Sequence, residues 1–154
     1  MTVTRFAALS GSLRAASINT ALLREIAARA PGWVTVQLIP LGHLPLFNPD
    51  LEAEPPKAVT DFRAEIGDAD ALIIASPEYA HGISGVLKNA LDWLVSYEGF
   101  AGKPVLVLNA APRAHHAISA LRETLSTMAA RLIDDPALIS IITQASLEGS
   151  AHVA

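Results

Sequence analysis

Apolar and polar positions along the chain fall into short strand-like runs separated by helix-like stretches. Val3 to Leu9 reads as a first strand, followed by a polar turn and a helix from Ser17 to Ala30 that Pro31 and Gly32 stop. Trp33 to Ile39 alternates as a second strand. Leu41 to Pro56, with Gly42, Pro45, Pro49, Pro55 and Pro56, reads as an ordered loop, and Lys57 to Gly67 as a short helix. Ala71 to Ser76 is almost wholly apolar, as a central parallel strand covered on both faces should be. Ile83 to Ser96 predicts a helix, Lys103 to Asn109 a fourth strand, and Ala114 to Ala130 a fourth helix. Leu132 to Ile142, interrupted by Pro136, supplies a fifth strand.

Strands separated by helices predict an α/β fold with a doubly wound, five-stranded parallel sheet in the flavodoxin-like order 2-1-3-4-5. At 154 residues, with no repeat or linker, residues 1–154 are expected to form a single domain. Such a sheet binds its ligand beyond the carboxyl ends of the first and third strands, and in the flavodoxin order that ligand is FMN. The two most chemically unusual loops of the chain, Ser10 to Asn19 and Ser76 to Gly85, lie at those two places.

The first loop suits a phosphate. Ser10, Ser12 and Ser17 offer hydroxyls, Arg14 a positive charge, and Asn19 a donor in the first helical turn. Its one glycine, Gly11, fits neither the dinucleotide nor the triphosphate glycine pattern, so a mononucleotide 5′-phosphate is the better match. The plainer alternative makes Ser17 a helix cap and Arg14 a solvated charge. In the second loop, Pro77 and Gly82 bracket a turn whose backbone could read the polar edge of an isoalloxazine, with Tyr79 as an aromatic surface beside it. Glu78 is either an acid or base or a helix-capping carboxylate, and His81 either touches substrate or has no role. His43, His115, His116 and His152 show no metal-ligand spacing, and no metal is expected.

The helix after this loop has apolar and aromatic positions over a wider arc than one core requires, with Trp93 and Val86 at its edge and Tyr97 beyond. That width predicts either deep burial or a homodimer interface, and the dimer is the expectation carried forward. The net charge of -4 offers nucleic acid or an anionic membrane no attraction. Absence of cysteine removes disulfides and thiolate chemistry and is compatible with the cytoplasm. The N-terminal apolar run leads straight into the first loop, so no signal peptide is expected.

At these residues the chain resembles the NADPH-dependent FMN reductases, the flavodoxin-like quinone, chromate and azo-dye reductases. The phosphate motif GSLRxxSxN corresponds to Gly11, Ser12, Leu13, Arg14, Ser17 and Asn19. The flavin-edge motif PEYNxxxPGxLKNxLDW corresponds to Pro77, Glu78, Tyr79, Gly85, Leu87, Lys88, Asn89, Leu91, Asp92 and Trp93. The string Leu44 to Glu52 is similar to the family's second loop. Three departures stand out: Ala80 for the usual Asn, Ser84 for the usual Pro, and Asn109 to Arg113 where a Ser- and Gly-rich turn is common.

The resemblance implies an NAD(P)H-dependent oxidoreductase of the FMN or quinone reductase type. NADPH or NADH gives hydride to FMN, and a quinone, free flavin or similar small acceptor takes the electrons. It implies a cofactor site of Ser10, Ser12, Leu13, Arg14, Ser17, Ile18, Asn19, Pro77, Glu78, Tyr79, Ala80, His81, Gly82, Ala110 and Ala111. No catalytic side chain is expected, because the cofactor carries the chemistry. It also implies a homodimer or homotetramer around the Ile83 to Ser96 helix. The alternative is a flavodoxin-like electron carrier without NAD(P)H oxidation. A carrier should show a marked acidic face and aromatics shielding the ring, whereas the charge is a mild -4 and aromatic residues are 5%.

Overall fold

In the computed structural model, which describes residues 2–135, the chain folds as five parallel strands in one sheet with helices on both faces. The elements in order are β1 (Thr4–Ser10), α1 (Ile18–Arg29), β2 (Val34–Leu38), a short 3-10 turn (Pro49–Leu51), α2 (Lys57–Asp68) and β3 (Ala71–Ala75). A two-residue hairpin follows, β4 (Glu78–Tyr79) and β5 (Gly82–Ile83), and then α3 (Gly85–Asp92), β6 (Pro104–Leu108), α4 (His115–Thr127) and β7 (Arg131–Leu132). The sheet order is β2-β1-β3-β6-β7, every pair parallel. With the hairpin set aside, this is the predicted 2-1-3-4-5 order.

Strand periodicity decides which side chains face which helices. Ala7 and Leu9 of β1, Leu72 and Ile74 of β3, and Val105 of β6 face a core built with Phe62 and Ile66 of α2, Leu87 and Leu91 of α3, and Leu121 and Leu125 of α4. The alternate residues Ala8, Ile73, Ala75, Leu106 and Leu108 pack with Leu23 of α1 on the opposite face. All five residues of β3 are buried, because both faces of this central strand are covered.

Two expected boundaries change. The apolar pattern from Ile83 to Ser96 suggests one helix, but Ile83 pairs with Glu78 in the hairpin and Ser84 caps the helix through Leu87 N. The helix then runs only from Gly85 to Asp92, and residues 93–96 are turn. The fifth strand starts at Arg131, ahead of the expected Leu132, and residues 136–142 of that segment lie outside the described residues.

Trp93 also lies elsewhere than at the edge of an interface. It is fully buried, its ring meets Phe47 edge-on at 5.0 Å, and its Nε1 donates to Pro45 O at 2.8 Å. Asn89 completes the clasp: Nδ2 donates to Pro45 O at 3.0 Å, and Oδ1 accepts from Phe47 N at 2.7 Å. Arg63 covers the outside, its Nε donating to Trp93 O at 2.8 Å. The wide apolar arc is thus largely used within one chain: Leu87, Ala90, Leu91, Trp93 and Leu94 are buried, whereas Val95 is exposed.

Candidate functional site

The loops leaving β1 and β3 meet because Gly11 lacks a side chain. A Cβ on Gly11 would lie 2.1 Å from Ser76 Oγ, 2.8 Å from Ser76 Cβ and 2.9 Å from Ser84 Oγ. The Gly11 N–H also donates to Ala75 O at 2.9 Å, so the first loop is fastened to the end of β3 before it turns away.

Within that loop the serines first organise the chain. Ser10 Oγ is 2.7 Å from Thr20 Oγ1 and accepts from Ser12 N at 3.3 Å. Ser12 Oγ accepts from Arg14 N at 3.3 Å. Ser17 is the N-cap of α1, accepting from Thr20 N at 3.2 Å. The cap and the ligand contact are compatible, since a hydroxyl that accepts from the backbone still has a proton to donate.

An open cavity of about 630 Å³ lies between the two loops. Ser12, Arg14, Ser17, Ile18 and Asn19 line one side, Pro77, Glu78, Tyr79, Ala80 and His81 another, and Ala111 a third. Of the expected cofactor residues, Ser10, Leu13, Gly82 and Ala110 stand outside this lining. Ser10 is spent on the internal bonds above. Leu13 is exposed and lies over Gly42, in a neighbouring hollow bordered by Arg24 and His43. Three lining residues escaped sequence reasoning: Ala16, Arg113 and Ala114. The alanines carry no chemical signature, but Arg113 is a cation in the loop after the fourth long strand and could have been found by that position.

Asn19 tests whether the cavity fits a polar ligand. It is 3% exposed and lines the cavity, yet its Oδ1 has no hydrogen-bond partner among the described residues. A buried amide left in that state is costly. A ribityl hydroxyl could donate to Oδ1, or the amide turned over could donate to a phosphate oxygen. With Arg14 and the Ser12 and Ser17 hydroxyls nearby, the donor set suits the phosphate end of FMN.

Glu78 has a role in the fold. Its Oε2 accepts from Ala117 N at 2.8 Å, which caps the first turn of α4, a later helix than the one directly following. That bond holds the carboxyl below its ordinary value, lost hydration opposes it, and His116, His81 and His115 add to the lowering. Ala80 and His81 form the hairpin turn with φ of 49° and 61°, both in the left-handed region. The family's asparagine suits the first of these positions better than alanine. Among the described residues no group of three or more His, Cys, Asp or Glu could hold a metal ion.

A cavity beyond β1 and β3 with polar groups from both loops, at the switch point of a 2-1-3-6-7 sheet, defines a flavodoxin-like mononucleotide-binding protein. Within that class, the chain belongs to the NADPH-dependent FMN reductase family, which it matches over residues 4–142, and FMN is the cofactor this membership assigns. Over 105 residues it is 43% identical to an NAD(P)H-dependent FMN reductase of Pseudomonas aeruginosa, covering 66% of this chain and 57% of that protein. Over 112 residues it is 38% identical to a quinone reductase of Pseudomonas putida, covering 70% of this chain and 60% of that one. The chain thus matches less than two thirds of the length of either relative. Among solved structures, the flavoenzyme NAD(P)H:(acceptor) oxidoreductase FerB of Paracoccus denitrificans superposes with a TM-score of 0.80 at 31% identity, covering 87% of this chain and 77% of that one.

Proposed function

We propose that the chain is a single FMN-binding unit that passes electrons from NADPH or NADH through FMN to a quinone, free flavin or similar acceptor. The observation that carries the reading is the buried Asn19 amide, whose Oδ1 has no hydrogen-bond partner among the described residues, in a cavity shared by Arg14 and two loop serines. In this reading Ser12, Arg14, Ser17 and Asn19 hold the phosphate. Residues 77–81 present backbone groups to the ring edge, and Ala111 borders the ring from the β6 side. Bound FMN supplies the two-electron chemistry, and hydride acceptance from the donor needs no side-chain nucleophile. Relatives named FMN reductase and quinone reductase favour a reductase over an electron carrier.

The same proposal includes a homodimer or homotetramer. Trp93 no longer supports it, and its support is the exposed Tyr79 at the cavity, 56% accessible, which a second copy could cover. The cytoplasm suits an enzyme supplied by NAD(P)H, and no helix of the described residues is long and apolar enough to cross a membrane.

The test is anaerobic reduction. NADPH or NADH should bleach the absorbance of the FMN-loaded protein within seconds, and steady-state turnover with a quinone should be ping-pong. If neither donor bleaches a flavin that dithionite does reduce, the electron-carrier reading replaces this one.

A further inference from the structure

One wall of the cavity carries a feature that flavin binding leaves unused. His81, which lines the cavity, stacks on His116 with centroids 4.1 Å apart and planes 23° from parallel. His116 in turn lies 4.1 Å from His115. All three residues are exposed, so the row joins the cavity to solvent. Glu78 does not compete for a role as an acid here, because its carboxylate is bound to Ala117 N. The hairpin holds His81 at φ 61° straight after Ala80 at 49°, and a backbone strain of this kind collects at functional sites. Cavity lining, the stack on α4 and the strained backbone are separate observations, and all three single out one imidazole.

We propose that His81 is the proton donor to the electron acceptor, and that His116 positions it. The inference rests on the reductase reading above and gives a catalytic role to a side chain that the sequence left between substrate contact and no role. A quinone that takes hydride becomes a hydroquinone monoanion and needs one further proton. The His81 imidazolium gives its N–H proton to the acceptor oxygen, so that N–H bond breaks as an O–H bond forms. The neutral imidazole recovers a proton from water, directly or along the exposed row. His116 of α4 stacks on His81 and is itself beside His115, Glu78 interacts with all three histidines, and Tyr79, Arg113 and Arg14 share the cavity lining. General-acid action requires a side chain that can carry and give up a proton, as an imidazole can.

The decisive variant is His81→Asn, because asparagine tolerates left-handed backbone and cannot act as this acid. Turnover is compared between an alkylated benzoquinone and ferricyanide, which takes an electron and no proton. The expected result is a fall in the quinone-to-ferricyanide ratio of roughly a hundredfold or more. His116→Ala should give a smaller fall, rescued by His116→Phe, which restores a stacking face. Independently of turnover, the His81 ring resonances in the FMN-loaded protein should shift when hydroquinone is added. An unchanged ratio in His81→Asn, or His81 resonances indifferent to hydroquinone, would overturn the proposal while leaving the reductase reading intact. Wild-type protein inert toward both acceptors would instead overturn the reductase reading.

Discussion

The Oε2 of Glu78 accepts the backbone N–H of Ala117 at 2.8 Å, joining the cavity hairpin to the first turn of α4 across 39 positions of sequence. The helix's own N-cap residue, Ala114, offers no side-chain bond, so the cap comes from another element. One carboxylate thus fixes the relative position of two walls of the cavity.

The pH dependence of this bond follows from its sign. The folded-state value of Glu78 is held below the ordinary 4.5, so its contribution is fully present above that value and is lost as pH falls through the lower one. Glu78→Gln should lower the melting temperature at neutral pH, and its gap from wild type should narrow as the pH is taken below 4.5. Thermal melts at a series of pH values check this. A gap that stays constant into acid would contradict it.

Ala80 stands at φ 49°, where a residue with a Cβ is disfavoured and asparagine less so. Ala80→Asn should stabilise the protein by about 1 kcal/mol, which for a chain of this size raises the melting temperature by about 2–4 °C. Calorimetry of the two proteins measures it, and a lower melting temperature in the variant would count against the described turn.

Trp93 fills the core and clasps the Pro45 carbonyl. Trp93→Ala should cost about 3–5 kcal/mol, read from urea unfolding, whereas Val95→Glu on the exposed side of the following turn should cost little. A Trp93→Ala protein that keeps wild-type stability but loses a partner subunit would restore Trp93 to an interface.

The layout of the sheet was legible because burial writes itself locally. The apolar run of β3 and the strand-helix alternation led to the observed strand order, and the two polar loops pointed to the crevice that the fold contains. What escaped sequence reading depends on distant partners. Ile83 continues the apolar pattern of α3, yet its partner in the hairpin is Glu78. Trp93 has the composition of an interface residue, and only the return of the Pro45 to Phe47 loop shows that its own chain covers it. Asn89 belongs to a motif that resembles flavin binding, but its amide is spent on pinning that loop. The substitution at Ala80 becomes costly only once the sign of its φ is known.

Whether Arg14 and its neighbours hold a phosphate decides the assignment of the cavity. A charge-assisted hydrogen bond to an anion is worth about 1.5–3 kcal/mol. Arg14→Ala should therefore weaken FMN binding roughly ten- to a hundredfold and hardly change the binding of riboflavin, which has the same ring and no phosphate. The most direct measurement is a pair of fluorescence titrations of the wild-type protein with FMN and with riboflavin under identical conditions. Saturation near one FMN per chain, with riboflavin much weaker, is the predicted result. Equal affinity for the two would contradict the phosphate site and, with it, the assignment of the cavity.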